Sequence, residues 1–408
     1  MEEIRICVMG NVDSAKSTLI STITNRILDD GRGSARKRVF KHKHEQETGR
    51  TSDISFRYIK VNEKKYVTFI DLAGHEKYFK TTIHGINGGL ADFAVLLVGA
   101  NMGVLKMTRE HLGIIKALQI PFCVVLTKID ICPKNVLERT KREITKIIKR
   151  NFNLQLVEQT NPSDDDLPFS LEKLSLNNEL KMFQLSNVTG EGLDFFRNYM
   201  FQIKNRVNWE KNRSQDTIFW IDNVYYVKGI GIVVSGTAKR GEIKINDRLM
   251  LGPKNGEFHE VIVKSIHNNF REDISLLGPG ISGCINIKSA VSNKKDLINK
   301  KNIKKGMVLI GKKIITEQKN KAVREFMADI TILHHPSTIR IKYEPVIHIG
   351  KISQTAKVIT MDKENLRTGD KARVKFRFKY RPEFIEMDDV LVFREGRTKG
   401  IGKIVELL

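Results

Sequence analysis

Between an apolar run, Ile4 to Met9, and a helical stretch that starts near Lys16 lies the fragment Gly10-Asn11-Val12-Asp13-Ser14-Ala15-Lys16-Ser17. A glycine-led loop that leaves a strand, enters a helix and ends in Lys-Ser has the context of a P-loop. Successive backbone N–H groups of such a loop curl around phosphates, and the helix N-terminus favours their negative charge. On this reading Lys16 reaches the β- and γ-phosphates and the Ser17 hydroxyl ligates Mg2+, while Asp13, Ser14 and Thr18 complete the cradle. One position departs from the usual pattern, because Ala15 stands where glycine is usual. If that residue must take a positive φ, alanine costs on the order of 1 kcal/mol and presses its methyl toward the phosphates.

The pattern around this loop predicts the fold class. Over the first 200 or so residues, short β-rich runs (Tyr66 to Ile70, Ala94 to Val98, Phe122 to Leu126) alternate with polar loops and helical stretches (Thr108 to Leu118, Val136 to Ile148). Such alternation predicts a parallel sheet covered on both faces, with ligands at the carboxyl ends of its strands. Residues 161–170 read as an acidic surface insert and Asn208 to Thr217 as a linker. Beyond the linker the helical period is lost. Short strands with glycine turns, at Gly231 to Ser235, Arg248 to Leu251, Val261 to Ile266, Gly283 to Ile287 and Met307 to Ile310, predict a β-barrel. A second polar stretch, Lys312 to Ala322, leads into a further strand set. The expected architecture is an α/β P-loop domain over residues 1–210, followed by β-barrel domains over 211–315 and 316–408.

Three further fragments sit at strand ends. Asp71-Leu72-Ala73-Gly74-His75 follows Tyr66 to Ile70. There Asp71 holds Mg2+ through water, the Gly74 N–H bonds the γ-phosphate, and His75 orients an attacking water. Phosphoryl transfer to water needs positioning and charge stabilisation more than covalent chemistry, so one such side chain suffices. Thr127-Lys128-Ile129-Asp130 follows Phe122 to Leu126. Asp130 accepts from guanine N1–H and N2–H, which adenine does not offer, while the Lys128 stem packs on the base. Ser186-Asn187-Val188 opens a loop that turns a backbone N–H toward guanine O6. Between the P-loop helix and the Asp71 strand, Asp29 to Asp53 reads as a switch loop, with Thr51 closing over Mg2+ and the γ-phosphate. His42 and His44 in that loop read as part of a basic segment rather than as metal ligands.

Charge narrows the partners. Seventy Lys and Arg against 47 Asp and Glu give a formal charge of +23, which is either a field that attracts polyanions, of which nucleic acid, RNA or DNA, is the commonest large one, or a lysine-rich solvated surface. Lysines at 294, 295, 300, 301, 304 and 305 fit either RNA contact or a solvated loop. The four cysteines, Cys7, Cys123, Cys132 and Cys284, show no CxxC pairing, so neither a zinc site nor a disulfide framework is expected. No apolar run reaches membrane-span length, and the acidic N-terminus enters a strand at once. A cytoplasmic chain that contacts no membrane is the expectation.

The four motifs, and the Asp-x-x-Gly-His form of the third above all, resemble the translational GTPases of the elongation factor Tu and elongation factor 1-alpha type. Segments 31–45 (GRGSARKRVFKHKHE), 49–52 (GRTS), 69–78 (FIDLAGHEKY) and 352–358 (ISQTAKV) are similar to the branch called GTP-binding protein 1 and 2. The likeness runs along essentially the whole chain. It extends to 228–241 (KGIGIVVSGTAKRG), 304–309 (KKGMVL) and 393–404 (FREGRTKGIGKI) in the barrel domains. The resemblance implies a G domain followed by two barrels, with GTP/GDP and Mg2+ as ligands. It implies GTP hydrolysis coupled to the ribosome, carriage of aminoacyl-tRNA, a monomer, and the possibility of a nucleotide exchange factor. Thr127 replaces the asparagine common at the head of its motif. A GTP-controlled binding module of RNA surveillance or decay, hydrolysing slowly, is the competing reading that Ala15 favours.

Overall fold

The computed structural model describes residues 1–38, 54–75, 90–159, 178–291, 298–317, 322–395 and 398–408. Thr51, His42, His44, Lys294, Lys295 and the acidic insert at 161–170 lie outside them. The chain divides into two compact units, Met1–Val207 and Asn208–Leu408.

In the first unit the elements run β1 (Glu2–Gly10), α1 (Lys16–Asn25), α2 (Ser34–Lys37), β2 (Ser55–Asn62), β3 (Lys65–Asp71), β4 (Phe93–Gly99), α3 (Lys106–Ala117), β5 (Phe122–Thr127), α4 (Lys134–Phe152), β6 (Gln155–Gln159), β7 (Glu179–Leu185) and α5 (Leu193–Gln202). They build one seven-stranded sheet of order β2-β3-β1-β4-β5-β7-β6. The central strands β1, β3, β4 and β5 are buried almost end to end, as a sheet covered on both faces requires. One core gathers Ile4, Val8, Val67, Phe93, Val95 and Phe183 against Ile20 of α1 and Phe196 of α5. The expectation of a parallel sheet holds except at one edge, where β2 runs antiparallel to β3, pairing Ser55 with Asp71. Beneath the sheet's end, Glu3 is buried but accepts from Arg5 at 2.8 Å, Tyr66 at 2.7 Å and Thr68 at 2.7 Å. Its charge is therefore fully ligated rather than stranded.

The second unit holds β8 (Ile218–Val227), β9 (Gly231–Arg240), β10 (Ile243–Lys244), β11 (Arg248–Lys254), β12 (Glu257–Asn268), β13 (Leu276–Leu277), β14 (Ser282–Ser289), β15 (Val308–Ile310), α6 (Lys312–Glu317), β16 (Glu325–His334), β17 (Val346–Ile349), β18 (Ile352–Met361), β19 (Lys371–Phe378), β20 (Val390–Glu395) and β21 (Thr398–Leu407). Two closed barrels result, of order β11-β12-β14-β9-β8-β15 and β16-β19-β18-β17-β20-β21. The architecture is thus an α/β P-loop domain with two β-barrels. A joint of charge and aromatic packing ties barrel to barrel. Lys239 Nζ lies 2.8 Å from Glu386 and 2.9 Å from Asp389, and 4.8 Å above the Trp220 ring. Lys351 pairs with Asp222 at 2.6 Å. Gly350, at φ 50°, lies so close to the Trp220 ring that a Cβ there would come within 2.8 Å of it.

Two segments read as polar connections are structured instead. Trp209 opens a short 3-10 turn and packs on Gly280, and a single half-buried aromatic outweighs the polar residues around it. Lys312–Glu317 forms a helical turn because Ile314 is buried and Lys312 pairs with Glu260 at 2.6 Å. Cys7 and Cys123 lie fully buried, and all four cysteines are free. Among the described residues no helix is long and apolar enough to cross a membrane.

Candidate functional site: a phosphate loop and its neighbours

Strand β1 delivers the chain into a loop that cannot accept larger residues at its start. A Cβ on Gly10 would come within 2.6 Å of both the Leu97 carbonyl and the Ser14 hydroxyl. Asp13 and Ala15 both take left-handed conformations, at φ 61° and 66°, on either side of Ser14. Ala15 is the residue before α1, so the condition under which alanine is costly there is met. Its methyl offers no side-chain cap to the helix, whose N-terminus carries the partial positive charge that favours an anion.

Lys16 is 7% exposed and its ammonium donates to the Asn11 carbonyl at 2.6 Å. Burial lowers its pKa from 10.5 to about 8, against the raising pull of Asp71 and Asp13. A buried cation compensated this incompletely is a receptor for anionic oxygen. Across from it, a Cβ on Gly74 would strike the Lys16 Nζ and sit 2.8 Å from the Asn11 carbonyl carbon. The Ser17 hydroxyl donates to Asp71 Oδ2 at 2.6 Å, and both groups are buried. A hydroxyl and a carboxylate side by side are the hard oxygen donors that Mg2+ takes, so the residues present fit that ion. His75 is exposed at the end of the described part of this loop.

The remaining loops converge on the same strand ends. The Thr127 hydroxyl donates to the Ser14 carbonyl at 3.1 Å, bridging the motif at the end of β5 to the P-loop. Lys128 takes φ 61° and leads into the short turn that carries Asp130. Ser186, fully buried, accepts from the Val188 and Thr189 N–H groups at 3.1 Å each. Asn187 accepts from the Thr22 hydroxyl at 2.9 Å, which pins this loop to α1.

A cavity of about 310 Å³ opens between these loops. Asp13, Ala15 and Thr18 form one wall, Lys128, Asp130 and Ile131 a second, and Asn187 and Val188 a third. Lys16, Ser17, Asp71 and Gly74 cluster at the phosphate loop itself, while Ser14, Thr127 and Ser186 brace the loops from behind.

A fourth wall was not foreseen as part of the site: Asp29, Gly31, Arg32, Gly33 and Arg36. The Asp29 carboxylate accepts from the N–H groups of Gly31, Gly33 and Ala35 at 3.2, 3.1 and 2.9 Å. Asp30 accepts from those of Arg32 and Ser34 at 2.9 and 3.1 Å. The Asp29 N–H in turn donates to the Asn187 carbonyl at 2.8 Å. Two adjacent aspartates thus fold a tight basic loop and hold it against the Ser186–Val188 loop. The Arg36 guanidinium lies over Gly33, where a Cβ would come within 2.5 Å of its Nε. Among the described residues neither Arg32 nor Arg36 has an acidic partner.

Comparison with known proteins places this geometry. The description "Elongation factor Tu GTP binding domain" matches residues 1–267. GTP-binding protein 1 of Xenopus laevis is 41% identical over 431 residues; the match takes in all of this chain and 64% of that protein, so the chain spans under two thirds of this relative's length. In fold it is similar to translation elongation factor SelB from Methanococcus maripaludis, solved with the GTP analogue GPPNHP, at a TM-score of 0.72 and 20% identity, covering 100% of this chain and 80% of that one. It is also similar to the GTP-bound Ski7 GTPase-like domain of S. cerevisiae, at a TM-score of 0.76 and 15% identity, covering 99% and 97%.

Proposed function

The chain belongs to the translational GTPases of the elongation factor Tu class, and on that premise we propose that it binds GTP and GDP with Mg2+, hydrolyses GTP, and acts on aminoacyl-tRNA at the ribosome as an elongation factor does. The observation that carries the reading is the buried Lys16 ammonium, held between the Asn11 carbonyl and Gly74 beside the Ser17–Asp71 pair. Phosphate oxygens give this cation the partner that one carbonyl only partly supplies, and the positive end of α1 reinforces it. Ser17 and Thr51, and Asp71 through water, would hold Mg2+, which when bound would supply charge neutralisation to the phosphates.

The chain's own groups do the rest. Asp130 reads the guanine edge, Lys128 covers its face, and the N–H groups after Ser186 meet O6. Asn187 and Val188 shape that pocket, and Thr127 keeps it in register with Ser14. The Gly74 N–H bonds the γ-phosphate, and His75 orients the water that attacks it. We place the domain boundaries after residues 210 and 315. A cytoplasmic monomer served by an exchange factor belongs to the same proposal.

GTPase turnover with purified ribosomes, with and without aminoacyl-tRNA, tests the reading, together with filter binding of aminoacyl-tRNA in GTP and in GDP. Stimulated turnover and GTP-dependent tRNA retention are expected; retention that is equal or absent in both states overturns the delivery role. One observation favours a second reading, a GTP-controlled module of RNA surveillance or decay with slow hydrolysis. Ala15 occupies a left-handed position in the phosphate loop. Brisk ribosome-stimulated turnover by the unaltered chain removes it.

A further inference from the structure

The positive charge of the chain is not spread evenly in its effect. Along β19 and the residue after it, the alternating cations Lys371, Arg373, Lys375, Arg377 and Lys379 form a basic row, yet the last four are paired. Arg373 holds Asp329 at 2.7 Å, Lys375 and Arg377 share Glu325, and Lys379 holds Glu344 at 2.6 Å. Three carboxylates thus offset much of that row's charge.

Helix α4 is different. Its core side carries Thr140, Ile144, Ile147 and Ile148. Arg139, Arg142, Lys146, Lys149 and Arg150 are all exposed. At about 100° per residue these five fall within an arc of about 100° on the side away from the core, and at 1.5 Å per residue they extend over about 16 Å. Among the described residues none of them has an acidic partner. The two acids nearest to them on the helix are engaged elsewhere, Glu138 with Lys141 at 3.1 Å and Glu143 with Arg109 at 2.8 Å.

We infer that this face of α4 is a contact surface for the phosphate backbone of RNA, separate from the nucleotide site. A stacked strand carries one phosphate per about 3.4 Å of its axis, so the stripe matches roughly five successive phosphates. The arc holds no exposed apolar side chain, which an acidic protein segment needs for an anchor and a phosphate backbone does not. The contact reads backbone and not base, so it gives affinity and position without sequence preference.

The test uses the full chain with Arg139→Gln, Arg142→Gln, Lys146→Gln and Lys149→Gln combined, and a fluorescein-labelled RNA as single strand and as hairpin, followed by anisotropy across a salt series. The slope of log affinity against log salt is expected to become shallower by about 3, at roughly 0.7 per lost single-strand phosphate contact. Affinity at low salt should fall at least 30-fold. GDP binding and the melting temperature of the variant, unchanged, establish that it is folded. The pair Arg373→Gln and Arg377→Gln, on the neutralised row, should move RNA affinity less than twofold. An unchanged slope, no RNA binding by the unaltered chain, or competition by polyglutamate as strong as by RNA would overturn the inference.

Discussion

The Lys16 ammonium occupies the space that a side chain on Gly74 would need, although the two residues lie on different strands' loops, 58 positions apart in sequence. The P-loop and the Asp71 loop are therefore packed through one cation and one missing methyl.

Gly74→Ala should displace that cation. Overpacking of this kind costs about 1–3 kcal/mol, so GTP affinity should fall by about tenfold or more. Fluorescent-nucleotide titration measures it. Wild-type affinity in the variant would mean that Lys16 does not depend on this gap.

Ala15→Gly should act in the opposite direction. The residue sits at φ 66°, where glycine has no steric penalty, so the variant should gain on the order of 1 kcal/mol in stability or in nucleotide affinity. Thermal unfolding with and without GDP separates the two. A variant weaker on both counts would show that the methyl makes a favourable contact.

The pH dependence of binding follows from Lys16. Its pKa of about 8 lies below the ordinary lysine value because burial disfavours the ammonium, whereas bound phosphate favours it. Binding above pH 8 therefore takes up a proton. Affinity should be level up to about pH 8 and fall about tenfold by pH 9, and Lys16→Arg, cationic throughout, should lose this decline. Calorimetry in buffers of different ionisation enthalpy reports the proton directly.

The wall at Asp29 to Arg36 should contribute to nucleotide affinity. Arg36→Gln removes a cation that lines the cavity and should weaken GDP and GTP by about 1.5 kcal/mol, roughly tenfold. Asp29→Ala, which frees three N–H groups, should weaken them comparably by releasing the loop. If Asp29 acts by placing Arg36, the double variant will lose little more than either single one. Additive losses would assign the two residues separate roles.

What the sequence disclosed and what it hid follow from locality. The P-loop, the Asp71–His75 fragment, Thr127 to Asp130 and Ser186 to Val188 each pair a strand end with residue types whose chemistry is specific, so each is readable within a few positions. The left-handed demand at Ala15 was legible for the same reason. Asp29 and Asp30 were not, because their work is to accept backbone N–H groups two to six residues on, and in sequence they look like any charged loop. The Thr127–Ser14 tie joins residues 113 positions apart and leaves no local trace. The α4 stripe has the ordinary look of an amphipathic helix. Its meaning depends on which acids are engaged elsewhere, as the contrast with β19 makes plain. Barrel order, too, is set by pairings such as β16 with β21 that no window of sequence contains.

Trp220 meets Gly350 and Lys239 meets Glu386 and Asp389 across the seam between the barrels. To swing one barrel alone, the chain would have to strip an indole of its cover and leave two carboxylates facing a cation's absence. A torque that reaches either barrel therefore works against these contacts before it can part the two, and the half of the chain beyond Val207 forms one compact unit rather than two beads on a string.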